Sequence, residues 1–253
     1  MIFGICDLSI IPMRSKPSDK EEMINQVLFG EHFHVIEKVK DWVKISLSHD
    51  NYKGWICNKQ WKEINQETYQ KLSKETSTIS IDILETIEEK NYQTIVIGSI
   101  LPSFKSGYAM INSRMFKFNG QSTQGYTDKK YIVENSLIYL NTPYLWGGRS
   151  PLGIDCSGLT QMIYRLQGLN IPRDATQQAK IGKTINSIKD TKTGDLVFCN
   201  TNDKVTHVAI IIDTKRVIHA SGKVRIDYVD DKGIIHQEKN IYTHNLYIIK
   251  RIY

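Results

Sequence analysis

Ile154-Asp155-Cys156-Ser157-Gly158-Leu159-Thr160 decides how the C-terminal half of this chain is read. It leaves a glycine-rich segment, Pro143-Tyr144-Leu145-Trp146-Gly147-Gly148-Arg149. It then enters a run in which Leu159, Met162, Ile163 and Leu166 recur at helical spacing, closed by Gly168. Cys156 therefore falls where a loop turns into a helix. The first N–H groups of a helix lack intrahelical partners and the positive end of its dipole lies there, so a thiolate is favoured at this address. Two readings compete. Cys156 is a nucleophile, or Asp155 merely caps the helix and Cys156 is a small core residue.

Two histidines bear on that choice. His207 lies in Val205-Thr206-His207-Val208-Ala209-Ile210 and His219 in Val217-Ile218-His219-Ala220-Ser221, polar residues in apolar strands on either side of a turn at Asp213-Thr214-Lys215. A three-residue loop pairs 212 with 216, hence 209 with 219, and sets both histidines on one face as diagonal neighbours. A two-residue loop separates the faces. One histidine alone reads as a satisfied core or edge residue. Two on neighbouring strands, with a helix-terminal cysteine upstream, form a nucleophile, a base and an orienting group.

The surrounding chain is mixed. Tyr131 to Leu140 has the spacing of an amphipathic helix with Ile132, Leu137, Ile138 and Leu140 apolar, and Asp195–Phe198, His207–Ile212 and Val217–Ala220 read as strands. Helix followed by antiparallel sheet gives an α+β domain over residues 131–253. Residues 1–65 alternate in short runs (Phe33–Ile36, Trp42–Leu47, Gly54–Cys57) between polar turns, as in a compact barrel. Lys62 to Ser73 reads as a polar linker. Within 66–130, Ile79–Ile87, Thr94–Leu101 and the run ending at Gly120 read as strands of a second, degenerate barrel.

Composition narrows the classes. The 253 residues are 40% apolar and 24% charged, ordinary for a folded chain and against extensive disorder. The net charge of +6 is spread among interleaved acids and bases with no basic stripe, which argues against a nucleic-acid partner. No long apolar run predicts a membrane span. Cys6, Cys57, Cys156 and Cys199 form no C-x-x-C pair, so neither a structural zinc nor any other metal is expected. Met1-Ile2-Phe3-Gly4-Ile5-Cys6-Asp7 has no secretory pattern, so with Met1 as the native start the expectation is a cytoplasmic protein with four thiols, three of them buried and inert.

Tyr144-x-Trp146-Gly147-Gly148, Asp155-Cys156-Ser157-Gly158, Gly194-Asp195-Leu196 and the two-histidine hairpin together resemble the NlpC/P60 cysteine peptidases, over residues 131–253. The N-terminal pattern resembles bacterial SH3-like (SH3b) barrels. The resemblance implies a papain-like catalytic domain preceded by two small SH3-like barrels. It implies Cys156 as nucleophile, His207 as base and His219 as the residue orienting it, in a place where papain-like enzymes more often carry Asn. A neutral histidine does that work if its tautomer presents an acceptor. The Tyr144 hydroxyl then donates beside the Cys156 N–H to the developing oxyanion, and Trp146 walls the cleft.

One subgroup of that family carries N-terminal SH3b domains and cleaves γ-D-glutamyl-L-diamino acid bonds in murein-derived peptides with a free N-terminal L-Ala. The resemblance to it implies that acidic residues hold the substrate ammonium. Asp174, 18 positions after Cys156, matches its binding Asp, and Ala175 stands where Ser is common, leaving only backbone groups there. Glu22 and Tyr52 match a further amine-binding pair, with Glu31 competing with Glu22. Asp155 and Ser157 complete the substrate-binding set. No cofactor is implied. The sequence leaves open the third peptide residue (diaminopimelate or Lys) and the oligomeric state. The rival readings are a secreted hydrolase of polymeric peptidoglycan, an acyltransferase or other amidase on the same scaffold, and a non-catalytic wall-binding module.

Overall fold

Residues 1–252 are described by the structure, a computed structural model. Their contacts separate into two units that meet in sequence between Gly125 and Tyr126. No helix among the described residues is long and apolar enough to cross a membrane.

In the N-terminal unit, β1 (Ile2–Ile5), β2 (Ile10–Arg14), β3 (Met23–Leu28), β4 (His32–Val39), β5 (Trp42–Leu47), β6 (Lys53–Cys57) and β7 (Lys62–Ile64) form one antiparallel sheet. Its order is β3-β2-β6-β5-β4-β1-β7. Alternation builds its core: Val43, Ile45 and Leu47 point inward from β5 and join Cys6, Ile11, Met13, Val27, Phe33 and Ile56. Residues 62–73, expected as a linker, form β7 and the helix α1 (Gln66–Lys74). Asn65 caps α1 by accepting the Thr68 N–H at 2.7 Å, and two side chains anchor it: Leu72 is buried and Tyr69 stacks on Phe3 at 4.3 Å.

The expected strands 79–87 and 94–101 are each split by a turn. β8 (Thr78–Ser80), β9 (Leu84–Glu88), β10 (Tyr92–Val96), β11 (Ile100–Leu101), β12 (Tyr108–Ile111), β13 (Arg114–Phe118) and β14 (Ser122–Thr123) form a β10-β9-β13-β12 sheet and a β11-β8-β14 sheet. These share one apolar cluster with the first sheet. Phe3, Ile5, Phe29, Ile64 and Leu72 pack with Ile87, Ile95, Leu101, Ile111, Phe116 and Phe118. At Gly30 (φ +80) a side chain would collide with the Ile100 carbonyl, and the Ile100 N–H donates to the Phe29 carbonyl at 2.9 Å. At 65/66, where sequence alone placed a boundary, the sheet changes but the core continues.

The C-terminal unit begins with α2 (Lys130–Ile138), followed by the β15–β16 hairpin (Arg149–Ser150, Gly153–Ile154), α3 (Cys156–Leu166) and α4 (Ala175–Gln178). Strands β17 (Lys183–Ile185), β18 (Leu196–Thr201), β19 (Lys204–Ile211), β20 (Arg216–Ser221), β21 (Lys223–Val229), β22 (Gly233–Ile235) and β23 (Tyr242–Arg251) follow in the order β17-β23-β18-β19-β20-β21-β22. A further β22–β23 pairing closes six of them into a barrel. Every residue of α3 is buried, so this helix is the unit's central packing element.

The apolar face expected for α2 is corrected. Ile132, Asn135, Ser136 and the following Tyr139 face inward, while Leu137 and Leu140 are exposed. Burial follows the 132/135/136/139 stripe because the Ser136 hydroxyl is satisfied by donating to the Ile132 carbonyl, which lets a polar residue sit inside.

Candidate active site

Asp155 is the N-cap of α3, and its carboxylate ties the helix start, the glycine-rich loop and Arg173 together. It accepts the Gly158 N–H at 2.6 Å and the Gly147 N–H at 2.8 Å, and pairs with Arg173 through two hydrogen bonds of 2.6 and 2.9 Å. Arg173 also donates to the Ser157 hydroxyl at 2.9 Å. Arg173 and Asp155 are both buried, so the pair is a charge-assisted, planar clamp between the glycine-rich loop and the helix start. Gly158 is needed here, because a Cβ would overlap the Gly148 carbonyl of that loop. The capping reading of Asp155 thus holds, and it orients the backbone that carries Cys156. Asp155 and Ser157, expected to touch substrate, have these internal partners.

The hairpin behaves as the three-residue loop requires. Ile210 pairs with Ile218 and Ile211 with Val217, and the Ile212 N–H donates to the Arg216 carbonyl at 3.0 Å. His207 and His219 consequently share a face, with His207 Nε2 and His219 Nδ1 2.7 Å apart. His219 Nε2 lies 3.0 Å from Asp227 Oδ2 on the next strand. Asp227 also accepts from Arg225 Nε at 2.9 Å and from the Gln237 N–H at 3.0 Å. His244, on the final strand, stacks on the His207 ring (centroids 4.1 Å apart, planes at 20°). Cys199 pairs with His207 across the ladder, and β-bulges flank it on both partner strands. Such bulges re-aim side chains where a regular strand would not.

Electrostatics define the resting state. Burial, reinforced by the Asp155 carboxylate, pushes the Cys156 thiol up to about 11, against the Val208 and Ser157 N–H groups and Arg173, which pull it down. The helix-start donors are therefore present and favour the thiolate, while burial opposes them. Burial, then the fields of His219, His244 and Arg225, hold His207 well below the usual imidazole value. Burial likewise lowers His219, despite the opposing Asp227, and brings His244 down to about 4. Burial thus favours the thiol at Cys156 and the neutral form of each imidazole. Burial and the nearby Cys156 and Asp155 raise the Tyr144 phenol, so it stays a donor in the field of the thiol.

Nitrogens of His207, His219 and His244 lie within 4.8 Å of one another, a spacing a transition cation accepts. Two of those nitrogens already hydrogen-bond each other, so a cation would have to displace that bond. Trp146 is exposed on the glycine-rich loop. Asp174 caps α4 in a capping box with Gln177, and Ala175 opens that helix, both half-buried. In the N-terminal unit, Glu22 is exposed, Tyr52 is partly packed against the first core, and Glu31 is fully buried with its carboxylate accepting the Leu28 N–H at 2.9 Å. Cys57 is half-buried, where burial was expected.

Sequence reasoning missed Arg173, Asp227 and His244. For Arg173 and Asp227 a signal existed: an Arg beside the capping segment's return, and an acid at an inward position of the strand after the hairpin. His244 had none, since only the long-range pairing of β23 with β18 brings it beside His207 on the next strand.

A cysteine at the head of a buried helix, packed on a closed barrel that presents paired imidazoles, defines a papain-like fold. The NlpC/P60 family model matches residues 141–242, and the bacterial dipeptidyl-peptidase Sh3 domain model matches residues 13–60. Gamma-D-glutamyl-L-lysine dipeptidyl-peptidase of Bacillus subtilis (strain 168) is 30% identical over 77% of this chain and 71% of its own length. The protein of that name from Bacillus cereus (strain ATCC 10987 / NRS 248) is 26% identical over 80% and 68%. The crystal structure of an NlpC/P60 family protein from Bacillus cereus ATCC 10987 superposes with a TM-score of 0.82, covering 99% of each chain at 20% identity, a likeness of fold. This chain belongs to the NlpC/P60 family and is a peptidase with an N-terminal SH3-like region.

Proposed function

We propose that the chain is a cysteine peptidase that hydrolyses the γ-D-Glu–L-diamino acid bond of murein-derived peptides bearing a free N-terminal L-Ala. The observation that carries the chemistry is the His207–His219 hydrogen bond of 2.7 Å on the barrel face against which the Cys156 helix packs. The names of the relatives support the bond type.

In this mechanism His207 takes the Cys156 proton as the sulfur attacks the carbonyl of the γ-linkage. The Cys156 N–H and the Tyr144 hydroxyl donate to the oxyanion. His207 returns the proton to the leaving amine, and water then hydrolyses the thioester with His207 again as base. Concerted transfer suits a thiol that burial keeps protonated until substrate arrives. Asp174 is the proposed ligand of the substrate ammonium on this unit, and Trp146 a wall of the acceptor cleft.

The test is incubation with L-Ala-γ-D-Glu-diaminopimelate, its Lys counterpart, and the N-acetylated twin of each, with products read by mass spectrometry. Free-amine peptides should be cut at the γ-linkage and acetylated ones poorly. Asp174→Asn should cost roughly 10- to 150-fold in kcat/KM on free-amine peptides, the worth of one charge-assisted hydrogen bond, and little on acetylated ones. Glu22→Gln asks the same of the N-terminal unit, with Glu31→Gln and Tyr52→Phe as comparisons. Equal rates on free and acetylated peptides in the parent would overturn the amine specificity and point to a hydrolase of polymeric wall.

A further inference from the structure

An imidazole base works only if the nitrogen aimed at the thiol is bare, so something must set the tautomer. In this chain the setting can be followed atom by atom. Asp227 Oδ2 lies 3.0 Å from His219 Nε2, and an ionised carboxylate only accepts, so His219 Nε2 carries the proton. His219 Nδ1 is then bare in the neutral ring. It lies 2.7 Å from His207 Nε2, and a hydrogen bond between them requires the proton on His207 Nε2. That leaves His207 Nδ1 bare.

We propose that Asp227 is the positioning residue of this active site, setting the tautomers of His219 and His207 in series so that His207 Nδ1 is the proton acceptor. This rests on the reading of Cys156 and His207 as nucleophile and base, and adds a fourth group behind them.

The carboxylate is built for the task. It is buried, and its oxygens accept from Arg225 Nε, the Gln237 N–H and His219 at once. Burial raises the Asp227 carboxyl, but the hydrogen bonds from His219, Gln237 and Arg225 outweigh it and hold the group well below the usual carboxylate range. In its ionised form it only accepts. Arg225, His236, His207 and His244 are the other titratable groups around the pair; Arg225 and His236 act to lower His219, and among the described residues Asp227 is the acid that faces it. An amide is a poor substitute: with Gln237 donating to one Asp227 oxygen and Arg225 and His219 to the other, the NH₂ of an Asn meets an N–H donor whichever way it turns. If it faces His219, both tautomers reverse and His207 Nδ1 acquires the proton.

The experiment has two readouts. Nitrogen-15 shifts of the imidazoles in the parent protein should show His219 protonated at Nε2 and bare at Nδ1, and His207 protonated at Nε2 and bare at Nδ1. This needs no variant, and the opposite tautomers would overturn the proposal. Second, Asp227→Asn should lower kcat on the order of 100-fold or more, the scale of a general base put out of action, with KM changed less than about 2-fold. In a His219→Asn background the same change should have less than about 3-fold effect, because Asp227 acts through His219. Full kcat in Asp227→Asn, or equal losses in both backgrounds, refutes the positioning role. If the parent cuts none of the peptides, the reading of the substrate fails, while the tautomers still decide the role of Asp227.

Discussion

Both units are rich in antiparallel sheet, yet they treat buried polar groups in opposite ways. In the N-terminal unit such groups close the chain: Glu31 accepts the Leu28 N–H, and Arg114 joins Asp7 at 2.7 Å and Glu89 at 2.8 Å. In the C-terminal unit they converge. Arg173, Asp155 and Ser157 lock the start of the buried helix α3, Asp227, His219 and His207 form a hydrogen-bonded series, and the N–H of Val208, next to His207, donates to Cys156. Sheet alone therefore does not make a site. What makes it is a helix N-terminus pressed against a sheet face on which polar side chains lie in register.

The sharpest contrast is between cysteines. Cys156→Ala should reduce turnover to background, a loss of about 10⁴-fold or more, whereas Cys57→Ser in the N-terminal unit should leave it within about 2-fold. Steady-state rates on the peptides above measure both. Full activity in Cys156→Ala would remove the chemical distinction between the units.

A smaller difference concerns the two arginine clamps. Arg173→Met leaves the buried Asp155 carboxylate without its partner and should destabilise the C-terminal unit by about 3–5 kcal/mol. Arg114→Met should cost the N-terminal unit much less, because its clamp is partly open to water. Hydrogen exchange resolved by unit reads each separately. Comparable losses would break the contrast.

The mildest effect is on pH dependence. His207, His219 and His244 have folded values below that of a free imidazole, so the unfolded chain takes up their protons first. Their share of stability is complete above about pH 6.5 and falls as pH drops, levelling off for His244 below about 4. Denaturant titrations of the C-terminal unit should show this decline, and no decline across that window would contradict neutral buried imidazoles. Alkylation of Cys156 by iodoacetamide should rise steadily through the alkaline range toward about 11. A plateau already at pH 6 would reveal a resting thiolate–imidazolium pair instead.

Much of this was legible in order of locality. The helix at Cys156 followed from apolar spacing and a capping acid, and the hairpin register followed from loop length, both matters of a few consecutive residues. The α2 stripe was misread because Ser136 is satisfied within its own helix, which hydrophobicity counting ignores. Residues 62–73 read as a linker in the sequence because α1 rests on Tyr69 and Leu72 packing rather than on a continuous apolar face.

By itself, then, the sequence determined where the nucleophile stands and which two histidines share a face, since spacing and period-2 alternation act over short range. Only the tertiary structure decided how strongly burial opposes a thiolate at Cys156, because burial is a property of what surrounds α3 on all sides. It alone also brought His244 to the imidazoles. That contact comes from β18 pairing with both β19 and β23, and a pairing between strands so far apart in the chain leaves no mark in short-range spacing.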